Sequence, residues 1–190
     1  MKIKTLLLAP LSAFLLSTSL NAAECVDIKS VNIGWTSYKT LAKIGVSGTF
    51  KDVKLSKAKD TSNINTALVG TSVTLNLANI DAKAAIKTSN ILKYFAPQLS
   101  TQAITATIVN VGEKKLALKI LLNGKEQIIP MNYTLDGGVM LADGVIDARD
   151  FGIESALGNL NHNVAGHKNK GWLDIAIRFE LIYDNKCPTS

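Results

Sequence analysis

The sequence predicts an all-β protein, with about eight antiparallel strands and one short helix. Residues 173–183 place apolar side chains at every second position, which is the period of a strand with one buried face. Residues 116–122 alternate in the same way up to Asn123-Gly124, the preferred pair for a two-residue type I′ turn. A second alternating run follows that turn. Together these patterns favour an antiparallel sheet.

The turn at Asn123-Gly124 also fixes the register of a hairpin. It places Leu118 opposite Ile129 and Leu116 opposite Met131, so that both strands turn apolar side chains to the same face. Pro130 lies in the second strand and has no N–H for a ladder hydrogen bond. We therefore expect that strand to be kinked or outward-facing at Pro130.

The remaining strands are predicted from shorter patterns. A third strand should follow Asp136-Gly137-Gly138, with Val139 and Leu141 in phase with the hairpin. Residues 44–55 change phase between Phe50 and Val53, which indicates a bulge or a bend. Further apolar alternations occur at residues 31–35, 73–77 and 104–108.

One helix is predicted over residues 81–95, with Asp81 as a candidate cap and Pro97 beyond its end. Residues 150–171 are predicted to be a long connection. Eight antiparallel strands with one apolar face bury that face by closing into a barrel or by stacking as a sandwich. The alternation fits both, and it also fits both a hollow and a filled interior.

The N-terminus has the organisation of a secretory signal peptide. Two lysines precede an apolar run over residues 6–16, and small and polar residues follow up to Ala23. The run is shorter than the roughly 20 residues that span a bilayer. We expect residues 1–23 to be removed and residues 24–190 to form one domain in the periplasm.

Export gives a meaning to the charge and to the two cysteines. Without the two leader lysines the formal charge falls from +6 to +4, which is too small to indicate nucleic-acid binding. In an oxidising compartment Cys25 and Cys187 are expected to join the two ends of the domain as a disulfide. Such a closure contributes on the order of 5 kcal/mol. Free or intermolecular thiols are the alternative.

Signals for catalysis are weak. No phosphate-binding glycine loop or nucleophile motif occurs, and His162 and His167 lie in a loop-like stretch whose spacing matches no helix-based zinc motif. We expect solvated histidines, with metal or headgroup contact as the alternative. Asp143, Asp147 and Asp150 lack the spacing of a calcium loop. No catalytic residue, cofactor or metal site is predicted, so the chain is expected to be a non-enzyme.

Two other groups of residues have two interpretations each. A polar connection is rich in lysine, at Lys51, Lys54, Lys57 and Lys59. These lysines are either solvated or form a basic mouth that attracts a phosphate headgroup or an anionic membrane. The large aromatic side chains Trp35, Phe50 and Phe95 either fill a core or line a ligand cavity.

Four segments in order resemble the YceI-like family of secreted polyisoprenoid-binding proteins. They are residues 31–50, which end in Gly48-Thr49-Phe50, residues 73–95, residues 118–135 with the Leu-Asn-Gly turn, and residues 144–153 before the last strand. The sequence departs from the family at residues 87–92, where many members have an Arg-Asp-x-His-Leu stretch. No headgroup role of that histidine is therefore carried over.

The resemblance implies a lipocalin-like, eight-stranded barrel that holds a long isoprenoid, such as a polyprenyl phosphate or a quinone tail, for transport, storage or sequestration. Lys51 and Lys54 are the candidate headgroup contacts. The alternative is a filled barrel that acts as an interaction or stress-response protein. The candidate tunnel-lining residues are Trp35, Phe50, Leu77, Phe95, Leu116, Leu118, Ile175, Ile177 and Phe179.

Overall fold

The computed structural model describes residues 25–186, so the predicted signal peptide at residues 1–23 and Cys187 lie outside the described residues. The strands are β1 (Asp27–Lys39), β2 (Ile44–Phe50), β3 (Lys54–Ser56), β4 (Ser72–Asn76), β5 (Ile80–Asp81), β6 (Ala103–Val111), β7 (Lys115–Leu122), β8 (Lys125–Asp136), β9 (Val139–Asp147) and β10 (Asp174–Asp184). The α-helices are α1 (Ile64–Leu68), α2 (Ala85–Asn90) and α3 (Glu154–Asn163).

All ten strands form one antiparallel sheet, in the order β3-β4-β6-β7-β8-β9-β10-β1-β2-β5. The two strands at the edges, β3 and β5, have only three and two residues. The eight longer strands are the ones that the alternation predicts. The all-β prediction is therefore confirmed, and the short edge strands are the elements that it lacks.

The sheet curls until its two edges become neighbours. Strand β2 lies beside the edge strand β5, yet only residues 51–53 join it to β3 at the opposite edge. A link of that length spans at most about 14 Å. Residues 77–79 cross the same gap between β4 and β5, and the N–H of Lys51 donates to the carbonyl of Asn79 at 2.9 Å. We call these two links the seam. This architecture fits a lipocalin-like barrel.

The β7–β8 hairpin has the predicted register. Leu118 pairs with Ile129 and Leu116 pairs with Met131. Asn123 and Gly124 have φ angles of 53° and 76°, the left-handed conformation that a type I′ turn requires at both positions. Pro130 is exposed on the outer face. The hairpin prediction is confirmed.

The predicted phase of β9 is wrong. Met140 and Ala142 are fully buried, whereas Leu141 is exposed on the outer face and Val139 is only partly buried. The pairing explains the error, because Ala142 lies opposite Tyr133, whose side chain faces the core. The two glycines of the turn set this register, and the apolar pattern of β9 alone does not reveal it.

The predicted helix over residues 81–95 is confirmed in position but not in its cap. Helix α2 continues as a π-helical turn at Ile91–Phe95 and a 3-10 turn at Ala96–Gln98. Asp81 belongs to β5 and its carboxylate accepts the N–H of Lys83 at 2.9 Å. Residue Ala84 takes the N-cap position and makes no side-chain hydrogen bond there.

Residues 150–171 contain a helix instead of the predicted long connection. Helix α3 buries Ala156, Leu157 and Leu160, a short apolar stripe that meets the π-helical turn. A three-residue stripe is too short to stand out as helical periodicity in the sequence. This element closes one end of the barrel, so its absence from the prediction affects the site directly.

One half of the barrel is filled. The half that contains the start of β1 and the end of β10 is packed with fully buried side chains, and α1 covers its end with Leu68. Each Å² of apolar surface that this packing buries stabilises the fold by about 25 cal/mol. The largest buried side chains of this half are Ile28, Leu68, Leu118, Met131, Met140 and Leu181.

Candidate ligand-binding cavity

The opposite half of the barrel contains a cavity of about 150 Å³. It lies under the π-helical turn that follows α2 and under α3, at the end where β7 turns into β8. Side chains of eight strands, all except β3 and β8, form the wall together with residues of the helical segments. Seven of the predicted lining residues are in this wall: Trp35, Phe50, Leu77, Phe95, Ile175, Ile177 and Phe179.

The other two predicted lining residues are placed elsewhere. Leu116 and Leu118 are buried in the filled half, where they pair with Met131 and Ile129. They face the interior, as the alternation predicts, but at the wrong level of the barrel. Their neighbours Ile120 and Leu122 on the same strand reach the cavity instead.

Wall residues of two kinds are not predicted by the sequence. The first kind comprises Ala106, Ile120 and Leu122, which continue alternations that are visible in the sequence. Alternation shows that they face inward but not how far along the barrel they lie. Leu157 and Leu160 come from α3, whose helical character was not predicted. The remaining wall residues are Ile33, Gly34, Ser37, Leu75, Ile80, Ile91, Ile104, Ile146 and Ile153.

Polar groups in the wall are few. Among the described residues that form it, Ser37 is the only one with a side-chain hydroxyl. The indole Nε1 of Trp35 is buried and has no hydrogen-bond partner within residues 25–186. An unpaired buried N–H costs about 1–3 kcal/mol. The wall therefore suits an apolar ligand that carries at most a small acceptor.

Gly48 allows the position of Trp35. The two residues pair across β1 and β2, and the indole lies next to the glycine. A Cβ atom at residue 48 would stand 2.5 Å from the indole Cζ2, a separation that intact structures do not show. The same Cβ atom would also meet the backbone carbonyl of Asp81, so a larger residue here would displace both the indole and β5.

Two helical segments cover the cavity and are tied to each other. Helix α3 packs on the π-helical turn Ile91–Phe95, and the Nδ2 of Asn159 donates to the carbonyl of Tyr94 at 2.6 Å. The turn contributes Ile91 and Phe95 to the wall. Turns of this rare type occur frequently at functional sites.

Asn123 ties both covering segments to the sheet. Its Oδ1 accepts the N–H of Ser100 at 2.7 Å, just after the first segment. Its Nδ2 donates to the carbonyl of Phe151 at 3.1 Å, just before α3. The residue that forms the hairpin turn therefore also positions the cover.

We expect Asn123→Gly to lower the free energy of unfolding by about 1–3 kcal/mol, because glycine keeps the turn and removes these hydrogen bonds. Urea denaturation measures the change. Asn169→Gly is the matched control, since Asn169 also has a positive φ of 55°, is exposed and makes no side-chain hydrogen bond in the described chain. Equal losses in the two variants would contradict the role given to Asn123.

Beyond the wall residue Ser37, a lysine and a histidine lie close together at what we call the rim of the cavity. Lys39 follows Ser37 on the inward face of β1, and its Nζ lies beside the 3-10 turn Ala165–His167. His167 Nδ1 is 2.6 Å from Asn161 Oδ1, a contact in which the ring nitrogen donates. Burial, and secondarily the charge of Lys39, lowers the pKa of His167. His167 is therefore neutral at pH 7.

This arrangement predicts a titration midpoint for His167 below its ordinary value of 6.5. The folded protein takes up the proton less readily than the unfolded chain, so stability falls as the pH drops through 6.5. NMR titration of the His167 ring measures the midpoint. Lys39→Met should raise it, because that change removes a neighbouring positive charge. An unchanged midpoint in Lys39→Met would show that the lysine charge does not reach the ring.

The predicted loop around the two histidines is partly helical. His162 lies exposed in the last turn of α3, and His167 lies in the 3-10 turn beyond it. Residues 25–186 contain no group of three or more His, Cys, Asp or Glu side chains that could hold a metal ion. Within the same range, no helix is long and apolar enough to cross a bilayer.

Lys51 and Lys54, the candidate headgroup contacts, lie outside the cavity wall. Lys51 is 69% exposed and its Nζ is 3.1 Å from the carboxylate of Asp81. Lys54 is exposed on the edge strand β3. Both lysines lie at or next to the seam, and neither side chain lines the cavity.

The acidic series on β9 is engaged with arginines. Asp143 accepts from the Nε of Arg178 at 2.6 Å. The carboxylate of Asp147 accepts hydrogen bonds from Arg149, and these bonds lower the pKa of Asp147 to about 2. Asp150 is exposed at the turn after β9. These ion pairs satisfy the first two carboxylates on the surface.

Solved structures share this architecture. A polyisoprenoid binding domain from Saccharophagus degradans superposes with a TM-score of 0.59 at 16% sequence identity, over 87% of this chain and 100% of that domain. The YCEI protein of Campylobacter jejuni superposes with a TM-score of 0.54 at 14% identity, over 93% of this chain and 99% of its own. The chain has the YceI-like fold.

BcnA of Burkholderia cenocepacia has the same YceI-like fold, with a TM-score of 0.55 at 16% identity over 83% of this chain and 99% of BcnA. No protein-family model and no curated protein sequence matches the chain. The predicted resemblance in fold is thus confirmed by structure at a level of identity where sequence comparison finds nothing.

Proposed function

We propose that the chain is a divergent YceI-like protein that binds an isoprenoid or another long apolar lipid in its cavity. The observation that carries the proposal is the apolar wall of that cavity, with Ser37 and the Trp35 indole as its few polar groups. A related fold in Saccharophagus degradans is a polyisoprenoid binding domain. A flexible apolar chain is the ligand class that such a wall recognises.

The energetics favour a ligand over an empty cavity. An apolar wall without contacts on one side loses dispersion energy, and each methylene that a ligand buries contributes about 0.8 kcal/mol. A cavity of about 150 Å³ is large enough to bind benzene in another protein. In this conformation the cavity therefore encloses one part of a long lipid.

The physiological role that we propose is transport, storage or sequestration of that lipid in the periplasm, without catalysis. Polyprenyl phosphates and isoprenoid quinones are the candidate ligands, and a transient contact with a membrane surface is the expected route of loading. The proposed disulfide between Cys25 and Cys187 would fasten the ends of the exported barrel. Strand pairing supports it, because Asp27 lies opposite Asp184, close to both cysteines in sequence.

Native mass spectrometry with organic extraction tests the binding proposal, on protein expressed with its N-terminal segment. We expect an apolar lipid at stoichiometric amounts. Polyprenyl phosphates and quinones should also change tryptophan fluorescence when they are added as a panel. In Trp172→Phe the only remaining tryptophan is Trp35, which lines the wall, so the signal reports on the cavity. If no lipid co-purifies and no member of the panel changes fluorescence or melting temperature, the alternative of a filled interaction protein replaces this proposal.

A further inference from the structure

The hairpin between β1 and β2 exposes two large aliphatic side chains beside the cavity. Leu41 is 84% exposed and Ile44 is 52% exposed. Leu41 is only four residues beyond Ser37, which lines the cavity wall. Exposed apolar side chains that lie together and are rimmed by polar residues mark interaction surfaces.

The hairpin tip is held rigidly against the segment that precedes β10. The indole N–H of Trp172 donates to the carbonyl of Thr40 at 2.8 Å, and the backbone N–H of Trp172 donates to the carbonyl of Tyr38 at 3.0 Å. Lys43 Nζ lies 5.0 Å from the ring centre of Tyr38 and 4.9 Å from that of Trp172. The aliphatic side chains are therefore presented on an ordered turn.

The same region is positively charged. Lys170 Nζ lies 4.8 Å from the ring of Trp172, and Lys39 and Lys168 are close by in the chain. Lys43 is paired with Asp174 at 2.7 Å, whereas Lys39, Lys168 and Lys170 make no ion pair within residues 25–186. An excess of lysine around exposed leucine and isoleucine favours a negatively charged partner.

We propose that this hairpin-tip patch, formed by Tyr38, Leu41, Lys43, Ile44, Lys170 and Trp172, docks the protein on an anionic lipid bilayer. Leu41 and Ile44 enter the boundary of the acyl chains, while the tryptophan and tyrosine rings lie at headgroup level. Lys170 and the neighbouring Lys168, which have no carboxylate partner within residues 25–186, extend their aliphatic stems along the surface and place their charges at lipid phosphates, whereas Lys43 stays paired with Asp174. The purpose of this docking rests on the proposed function, because it sets the cavity rim against the membrane that supplies the lipid.

Vesicle co-sedimentation of the full chain tests the docking. We expect binding to phosphatidylcholine vesicles that contain phosphatidylglycerol, weaker binding to phosphatidylcholine alone, and weakening by salt. Leu41→Ser should reduce partitioning about tenfold, because an inserted leucine loses its contact with the acyl boundary. Lys170→Gln should reduce it about fivefold on the anionic vesicles only.

Two matched variants provide controls. Ile128→Ser removes an aliphatic side chain that is 62% exposed on the outer face of β8, three strands from β1 in the sheet. Lys114→Gln removes an exposed lysine at the β6–β7 turn, at the opposite end of the barrel. Both should bind vesicles as the unmodified protein does.

Equal binding by Leu41→Ser and Ile128→Ser would overturn the docking proposal. It would also be overturned if the chain forms a dimer that Leu41→Ser dissociates while vesicle binding stays absent, because the patch would then join two copies. Lipid binding is read separately, by mass spectrometry of the lipid retained by each variant. If vesicle binding fails while the lipid is retained, only the docking patch is rejected. If vesicle binding persists without any retained lipid, only the cavity ligand is rejected.

Discussion

Replacing Ala106 with phenylalanine is expected to lower lipid affinity by about 100-fold, because the ring would occupy the cavity. Ala106 is buried on β6 and lines the wall between Ile104 and the filled half. Exclusion of about three to four methylene groups at about 0.8 kcal/mol each accounts for this magnitude. Fluorescence titration with a polyprenyl phosphate measures the affinity, and mass spectrometry measures the retained lipid.

The control for this substitution lies one residue away on the same strand. Thr105 pairs with Thr74 and Leu121, and its side chain points to the outer face. Thr105→Phe adds a similar ring without entering the cavity, so its lipid affinity should stay within about twofold of the original. If Ala106→Phe retains the same lipid in the same amount, the ligand binds elsewhere on the protein.

Truncation of Phe151 is expected to have the largest effect on stability, about 3–5 kcal/mol for Phe151→Ala. Its side chain is fully buried at the turn that leads from β9 to α3, and its carbonyl accepts the Asn123 side chain. A closely packed site relaxes little around a lost ring, so most of the packing energy is lost. Urea denaturation of the two proteins measures the difference.

The same change at Phe50 provides the comparison. Phe50 is partly exposed and lines the cavity, so its ring has fewer protein atoms around it. We expect Phe50→Ala to cost about 1–2 kcal/mol in stability while weakening lipid binding. Equal destabilisation by the two truncations would mean that the cavity wall around Phe50 is packed as closely as the fully buried site of Phe151.

The sequence was informative wherever structure depends on neighbours along the chain. The alternation of β10 placed Ile175, Ile177 and Phe179 on the inner face, and the Asn123-Gly124 turn set the hairpin register. Both signals are local, since side-chain period and turn geometry are decided within a few residues. Most of the predicted lining residues that do reach the cavity wall lie on such strands.

Other features depend on what lies opposite in space. Alternation shows that Leu116 and Leu118 face inward, but the side chains of other strands decide whether that level is filled or hollow. The phase of Leu141 follows from the pairing of β9 with β8. Lys39 reaches the rim only because β1 continues beyond Ser37 to meet the turn after α3.

The seam gives the barrel a mechanically soft wall. Elsewhere the sheet is joined by ladders of backbone hydrogen bonds, whereas the crossing links at residues 51–53 and 77–79 share the single bond from Lys51 to Asn79. Phe50, Leu77 and Ile80 line the cavity at this crossing. Because spreading the barrel there would break little of the sheet, we expect the enclosed volume to grow with the length of a bound chain. Under the proposed function, the same fold would then accept lipids of different lengths.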